Sequence, residues 1–149
     1  MHACLYFSEA AGVDGSVVMR ERLSELSAVS QPNNRRDGLT GVLVGSGDAF
    51  LQYVEGPRAP LAALMERIYA DARHRRLVVA WAGDIETRSF ANWAMAPIQP
   101  GRESASRFDY AMLAEEGSGA LMRRLADIAA RSEKIAGAPI ELGDDVVRL

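Results

Sequence analysis

Strands that are apolar on both faces constrain this chain more than any other feature. In the stretch FLQYVEG, residues Phe50 to Gly56, alternation puts Phe50, Gln52 and Val54 on one face and Leu51, Tyr53 and Glu55 on the other. A first strand candidate, Ala3 to Ser8, alternates likewise, with Tyr6 and Ser8 on one face and Leu5 and Phe7 on the other. Leaving either face in water would expose a large apolar patch. Both faces of such a sheet must therefore be covered.

The covers can be read along the chain. Ser16 is placed to cap a helix from about Val17 to Ser30, with Met19, Leu23, Leu26 and Ser30 on one stripe. Pro32-Asn33-Asn34 is expected to end that helix and begin a polar loop. Leu39 to Val44 and Ala49 to Glu55 read as strands joined by the turn Gly45-Ser46-Gly47-Asp48. Gly56-Pro57 stops the second of these, and Leu61, Leu64, Met65 and Ile68 then follow helical spacing. Leu77 to Ala82 and Asn92 to Ile98 are the remaining strands, the last closed by Pro100.

The order β-α-β-β-α-β-β predicts an α+β fold, an antiparallel-rich ferredoxin-like sheet with both helices on one face. Two C-terminal helices between Ser104 and Ala136 are expected on the other face, carrying Phe108, Met112, Leu113, Leu121, Met122, Leu125, Ile128 and Ala129. A subunit interface is the rival cover, and a homo-oligomer is expected. The division is residues 1–98 as the main domain and 99–149 as a helical extension, with no clear assignment after Gly137.

Composition removes several functions. A net charge of −3 argues against a nucleic-acid surface. Cys4 is the single cysteine, which excludes an intrachain disulfide, and with only 2 histidines no metal site is expected. No apolar run approaches the length that crosses a membrane, and the N-terminus lacks the basic start of a signal peptide. A cytoplasmic protein without direct nucleic-acid or membrane partners is expected.

The remaining signal lies in polar residues that fit a plain core poorly. Gln52 sits between Phe50 and Val54 on one strand face, and a buried amide without partners costs roughly 1–3 kcal/mol per unsatisfied group. Tyr6 and Ser8 share the corresponding face of the first strand. Asn33-Asn34 ends the first helix, and Arg67 and Asp71 stand four apart on one side of the second. Singly, each has a plainer reading. Tyr6 would be a core tyrosine bonded to backbone, Asn33-Asn34 a helix cap, and Arg67 with Asp71 a surface ion pair. Arg73 and His74 would be a solvated helix end, and Trp93 and Met95 ordinary core residues. Together they suit a polar heterocycle held between the two helices.

In order, these residues resemble the BLUF family of flavin-based blue-light sensors. The resemblance runs from about His2 to Ile98. It comprises Leu5-Tyr6-Phe7-Ser8, Asn33-Asn34, Gly38-Leu39-Thr40-Gly41-Val42-Leu43, Phe50 to Pro57, Asp71-Ala72-Arg73-His74 and Phe90-Ala91-Asn92-Trp93-Ala94-Met95. Tyr53 departs from the usual family residue, on the face pointing away from the ligand.

The resemblance implies a noncovalent flavin, usually FAD, with FMN or riboflavin left open. Tyr6 and Gln52 match the photoactive pair, and Asn34 the asparagine at the flavin's pyrimidine edge, with Asn33 beside it. Arg67 and Asp71 match positions that contact the same edge in some members, and Ser30 a pocket-lining position. Arg73 and His74 fit near the flavin. Trp93 and Met95 match the residues that relay the signal. The implied function is a reversible, red-shifting light sensor, not an enzyme, that signals to a separate partner protein as a short family member with C-terminal helices. A flavin-dependent oxidoreductase and a flavin-free interaction module of the same fold are the alternatives.

Overall fold

The computed structural model of the protein describes residues 1–13, 15–99 and 110–136. The elements are β1 (His2–Ala10), α1 (Gly15–Asp37), β2 (Thr40–Ser46), β3 (Ala49–Gly56), α2 (Arg58–Ala70), β4 (His74–Asp84), β5 (Ala96–Ile98) and α3 (Tyr110–Ala136). The strands form one mixed sheet in the order β4-β1-β3-β2-β5. All neighbours run antiparallel except β5, which is parallel to β2. This is the expected α+β, ferredoxin-like arrangement.

Register decides what each face carries. Tyr6 stands directly opposite Gln52, while Leu5 faces Tyr53 and Phe7 faces Leu51. Because alternation has a period of two, Tyr6 and Gln52 share one face and the apolar quartet the other. On the first face, Met19, Leu23 and Leu26 of α1 pack on Leu43 and Phe50, and Leu61 and Ile68 of α2 pack near Tyr6 and Val54. A Cβ added at Gly45 would lie 2.4 Å from the Met19 sulfur, so the glycine lets α1 settle closely on β2. On the second face, Leu121, Met122, Leu125, Ile128 and Ala129 of α3 join Leu5, Phe7, Leu51 and Tyr53 in one cluster. Helix α3 is interrupted at Gly117, whose φ of 75° and ψ of 176° are not helical, so two helical pieces follow one another. Pro100, Ser104, Phe108 and the chain after residue 136 lie outside the described residues, as do the side chains of Met112 and Leu113.

Three local expectations are corrected. Helix α1 begins at Gly15, so Ser16 lies within its first turn, and it continues through Pro32, Asn33 and Asn34 to Asp37. Proline removes one helical hydrogen bond. The helix on either side of it is held from outside, where the Gln31 and Asn34 side chains bond the backbone of Met95 and Ala94. The stop is Gly38, left-handed at φ 68°, after which Leu39 N–H returns to the Asn34 carbonyl at 2.8 Å. The segment from Asn92 does not form a strand until Ala96. There Trp93 N–H closes a turn on Phe90 O at 2.9 Å, and the Ala94 and Met95 carbonyls are taken by α1 side chains. Finally, β4 starts at His74, so Arg73 and His74 are not a helix end.

Glu55 ties this irregular segment to the sheet. Its carboxylate is fully buried and accepts Ser89 N–H at 2.9 Å, Phe90 N–H at 2.6 Å and the Thr40 hydroxyl at 3.1 Å. Arg88 reaches from the same turn to Thr40 Oγ1 at 2.8 Å and Gly38 O at 2.6 Å. Burial lifts the Glu55 pKa above the usual range, against the pull of those donors. Replacing Glu55 by alanine strands two buried N–H groups, so Glu55→Ala should lose about 3 kcal/mol in urea unfolding, and Glu55→Gln, which keeps one carbonyl oxygen, about 1 kcal/mol. An unchanged midpoint for the alanine variant would show that the turn is held by other means.

Candidate functional site

A cavity of about 170 Å³ lies between α1 and α2, above the sheet. Tyr6, Leu43 and Gln52 form its floor. Leu26 and Val29 of α1 and Leu64 and Ile68 of α2 give it two aliphatic walls. Polar groups sit around them: Ser30, Asn33 and Asn34 from α1, Arg67 from α2, and Asp71, Arg73 and His74 from the segment that starts β4. Met95 completes the lining. Of the site candidates named from the sequence, all but Ser8 and Trp93 meet in this cavity.

The floor holds the central contact. The Tyr6 hydroxyl donates to Gln52 Oε1. Tyr6 is fully buried and Gln52 is 5 % exposed. Burial drives the phenol pKa far above its ordinary value, with Cys4 and then Asp71 adding to the rise, so the hydroxyl keeps its proton and acts as a donor. The Gln52 amide nitrogen meets the Met95 sulfur at 3.6 Å. A thioether is a weak acceptor, so this buried amide retains donor capacity toward the cavity.

Met95 and Trp93 part company. In a strand, residues two apart share a face. The chain is a turn here, so Met95 reaches Gln52 while Trp93 joins the far-face cluster, its ring centroid 6.1 Å from that of Phe90. Trp93 is therefore not next to Gln52.

The acidic and basic groups also pair differently from their helical spacing. Asp71 is the cap of α2, already extended at φ −80° and ψ 116°. It accepts the Arg73 backbone N–H at 2.9 Å and the Arg73 Nε at 2.9 and 3.0 Å. This contact, chiefly the side-chain hydrogen bond, holds the Asp71 pKa down to about 2. Arg67 instead approaches Asp37 of α1 at 3.5 Å.

Asn34 is 1 % exposed and gives one N–H to Ala94 O at 2.6 Å, leaving its amide oxygen and second N–H for the cavity. The Asn33 oxygen accepts from Arg36 at 3.3 Å. Gln31 was not singled out from the sequence, yet it donates to Met95 O at 3.0 Å and to Ser27 Oγ at 2.9 Å. Its signal was available: Ser27, Gln31 and Asn34 follow i, i+4, i+7 and line one helical face in polar groups. Ser8, fully buried, bonds His74 Nδ1 at 2.9 Å and so joins β1 to the start of β4.

Comparison with known proteins agrees on one family. A family model described as "BLUF: Sensors of blue-light using FAD" matches residues 1–96. Photoactivated adenylate cyclase subunit beta of Euglena gracilis is 36% identical over 73 residues, covering 49% of this chain and 8% of that protein. The chain thus corresponds to a small part of that relative. Among solved structures, the photo-activated state of BlsA superposes with a TM-score of 0.65 at 20% identity, covering 96% of this chain and all of that one. The dark state of BlrB, a BLUF protein, gives 0.61 at 24% identity, covering 90% and 89% of the two chains. At these identities the two structures speak to the fold.

The Asp71–Arg73 contact makes a pH prediction. A carboxylate whose folded pKa is depressed lends stability that is complete above its unfolded value, about 3.9, and is lost as pH falls through the folded value. Arg73→Gln should move the Asp71 carbon resonance midpoint upward from about 2 toward the ordinary range, and bring acid unfolding to a correspondingly higher pH. An Asp71 midpoint indifferent to Arg73→Gln would assign the depression to another group.

Proposed function

The chain belongs to the BLUF family of sensors of blue light using FAD, and from that premise we propose that it holds FAD between α1 and α2 and reports blue light to a partner protein through Tyr6 and Gln52. The observation that carries the reading is the buried Tyr6–Gln52 hydrogen bond on the cavity floor, with an amide nitrogen whose partner is a weak sulfur acceptor.

The residues present suit a flavin ring. A planar heteroaromatic has apolar faces and a polar rim. The cavity opposes two aliphatic walls, Leu26 and Val29 against Leu64 and Ile68, and supplies amide, hydroxyl and guanidinium groups at the periphery. Asn34 has both an acceptor and a donor to spare for a carbonyl and ring N–H. Asn33, Ser30 and Arg67 offer further donors. Asp71, Arg73 and His74 close the α2 side. Bound flavin supplies the blue absorption and, once excited, a strong one-electron oxidant.

The protein side of the switch follows from the floor. Tyr6 is the electron donor, kept neutral and protonated by burial. A phenol that loses an electron becomes a strong acid, and Gln52 Oε1 already accepts its hydrogen bond. Gln52 carries donor and acceptor on one small group, so its hydrogen bonds can exchange partners with little other motion. On return of the electron and proton to Tyr6, a rearranged Gln52 is left presenting a different donor to the cavity. The outcome is a reversible red shift without turnover, a photoreceptor rather than a catalyst.

Output is proposed to leave through Met95. It contacts Gln52 directly, and its backbone carbonyl is held by Gln31 of α1 just ahead of β5. Helix α3 packs against β4 and β5, so movement at Met95 would alter how α3 sits on the sensor formed by residues 1–98. Trp93 shares the far-face cluster with α3 and in this reading passes the change to it. No helix among the described residues is long and apolar enough to cross a membrane.

Blue illumination of the purified yellow protein should produce a red shift that reverses in the dark. Gln52→Leu should keep its flavin and lose the shift, and Tyr6→Phe should lose it too. A wild-type protein that binds flavin yet shows no reversible shift overturns the proposal.

A further inference from the structure

We propose that His74 is a positioning residue for the Tyr6–Gln52 pair: its imidazole, fixed by Ser8 beside the Tyr6 ring, must be uncharged for Tyr6 to give up an electron readily. The inference rests on the function proposed above and adds a residue to it.

Ser8 lies two residues along β1 from Tyr6 and shares its face. The 2.9 Å Ser8–His74 contact sets the imidazole edge-on to the Tyr6 ring, centroids 6.1 Å apart at 69°, and tilted against Phe50 at 5.2 Å. His74 also lines the cavity. The hydroxyl proton of Tyr6 is directed to Gln52, so the lever of His74 on Tyr6 is its charge rather than a shared proton. The Ser8 contact survives either charge state. The serine hydroxyl donates to Nδ1 of a neutral ring and accepts from Nδ1–H of a charged one. Protonation therefore changes the charge beside Tyr6 without releasing the ring.

The charged and titratable groups around His74 are Asp71 and Arg73 from the preceding segment, Arg22 from α1 and Tyr6 from β1. Asp71 favours the charged ring, while Arg73 and Arg22 oppose it. Asp71 and Arg73 are locked to each other and largely cancel. Burial is the strongest influence and holds the His74 pKa below the ordinary 6.5. Asp71, held to about 2, does not titrate in that range.

In the step concerned, Tyr6 first gives one electron to bound flavin, the oxidant, leaving a cationic ring whose phenolic proton then passes to Gln52 Oε1. Both return to Tyr6 in the reverse step. A unit positive charge about 6 Å from the ring opposes formation of that cationic ring by up to a factor of about one hundred in the equilibrium at an effective dielectric of about 20, less its attraction for the electron on the flavin, and by up to about ten in a rate that feels half of it.

The test uses the flavin-loaded full chain. In the dark, nitrogen NMR of the imidazole and carbon NMR of the Tyr6 ring are followed against pH, and the yield of the red shift is measured over the same range. His74 should titrate below the ordinary histidine value, the Tyr6 signals should move with the same midpoint, and the yield should fall by up to about tenfold beneath it. In His74→Gln, which keeps a neutral partner for Ser8, the Tyr6 titration and the acid loss of yield should both disappear. A yield flat across the His74 midpoint, or an unchanged pH profile in His74→Gln, overturns the proposal. Should His74→Gln fail to fold, Ser8→Ala decides: the yield midpoint must follow whatever shift the His74 resonance shows, and a yield midpoint that stays behind overturns the proposal. Absence of any red shift in the wild type would count against the function above, while Tyr6 signals indifferent to the His74 titration would count against this inference.

Discussion

The register of β1 against β3 is the constraint on which the rest of the structure depends. Tyr6 opposite Gln52 is one rung of an antiparallel ladder. A slip of one residue would carry Gln52 to the α3 side and put Leu51 or Tyr53 under the cavity. The ladder is not held by that polar rung. It is held by apolar side chains on both faces, Leu5, Phe7, Leu51 and Tyr53 beneath and Phe50 and Val54 above. The cost of burying a tyrosine and a glutamine is offset by their bond to each other, which holds only in this register.

A second consequence of the two-sided sheet is the treatment of the chain from Arg88 to Met95. It has no regular hydrogen-bond ladder, so each of its backbone groups needs an individual partner. Glu55 takes the N–H groups of Ser89 and Phe90, Gly41 gives its N–H to Trp93 O, and Asn34 and Gln31 take the carbonyls of Ala94 and Met95. The segment touches β3, β2 and α1 at once. Two of its side chains leave in opposite directions, Met95 to the cavity floor and Trp93 to the α3 side. A change at Gln52 is therefore next to an irregular stretch in contact with both faces.

How much was legible depended on the range of the interaction. The strand faces, the order of elements and the apolar cover supplied by Leu121 to Ala129 were readable because they follow from alternation and helical spacing, which are local. The residues that gather in the cavity were readable as misfits, polar groups where the pattern wanted apolar ones. Pro32 misled because proline's local effect is real, and the amides of Gln31 and Asn34 outweigh it only through partners more than 50 residues away, Gln31 with Met95 and Asn34 with Ala94. Asp71 misled for a related reason. Helical spacing offered it Arg67, but the helix ends first and Arg73 is nearer.

The sequence by itself determined that the sheet is buried on both faces and that Tyr6 and Gln52 point the same way, because side-chain direction in a strand is a matter of counting by twos. Only the tertiary structure decided that Met95 and not Trp93 meets Gln52, that α1 runs past its proline, and that Ser8 holds His74 beside Tyr6. Each of these turns on hydrogen bonds and packing between residues far apart in the chain, and local propensity carries no information about which distant partner will be present.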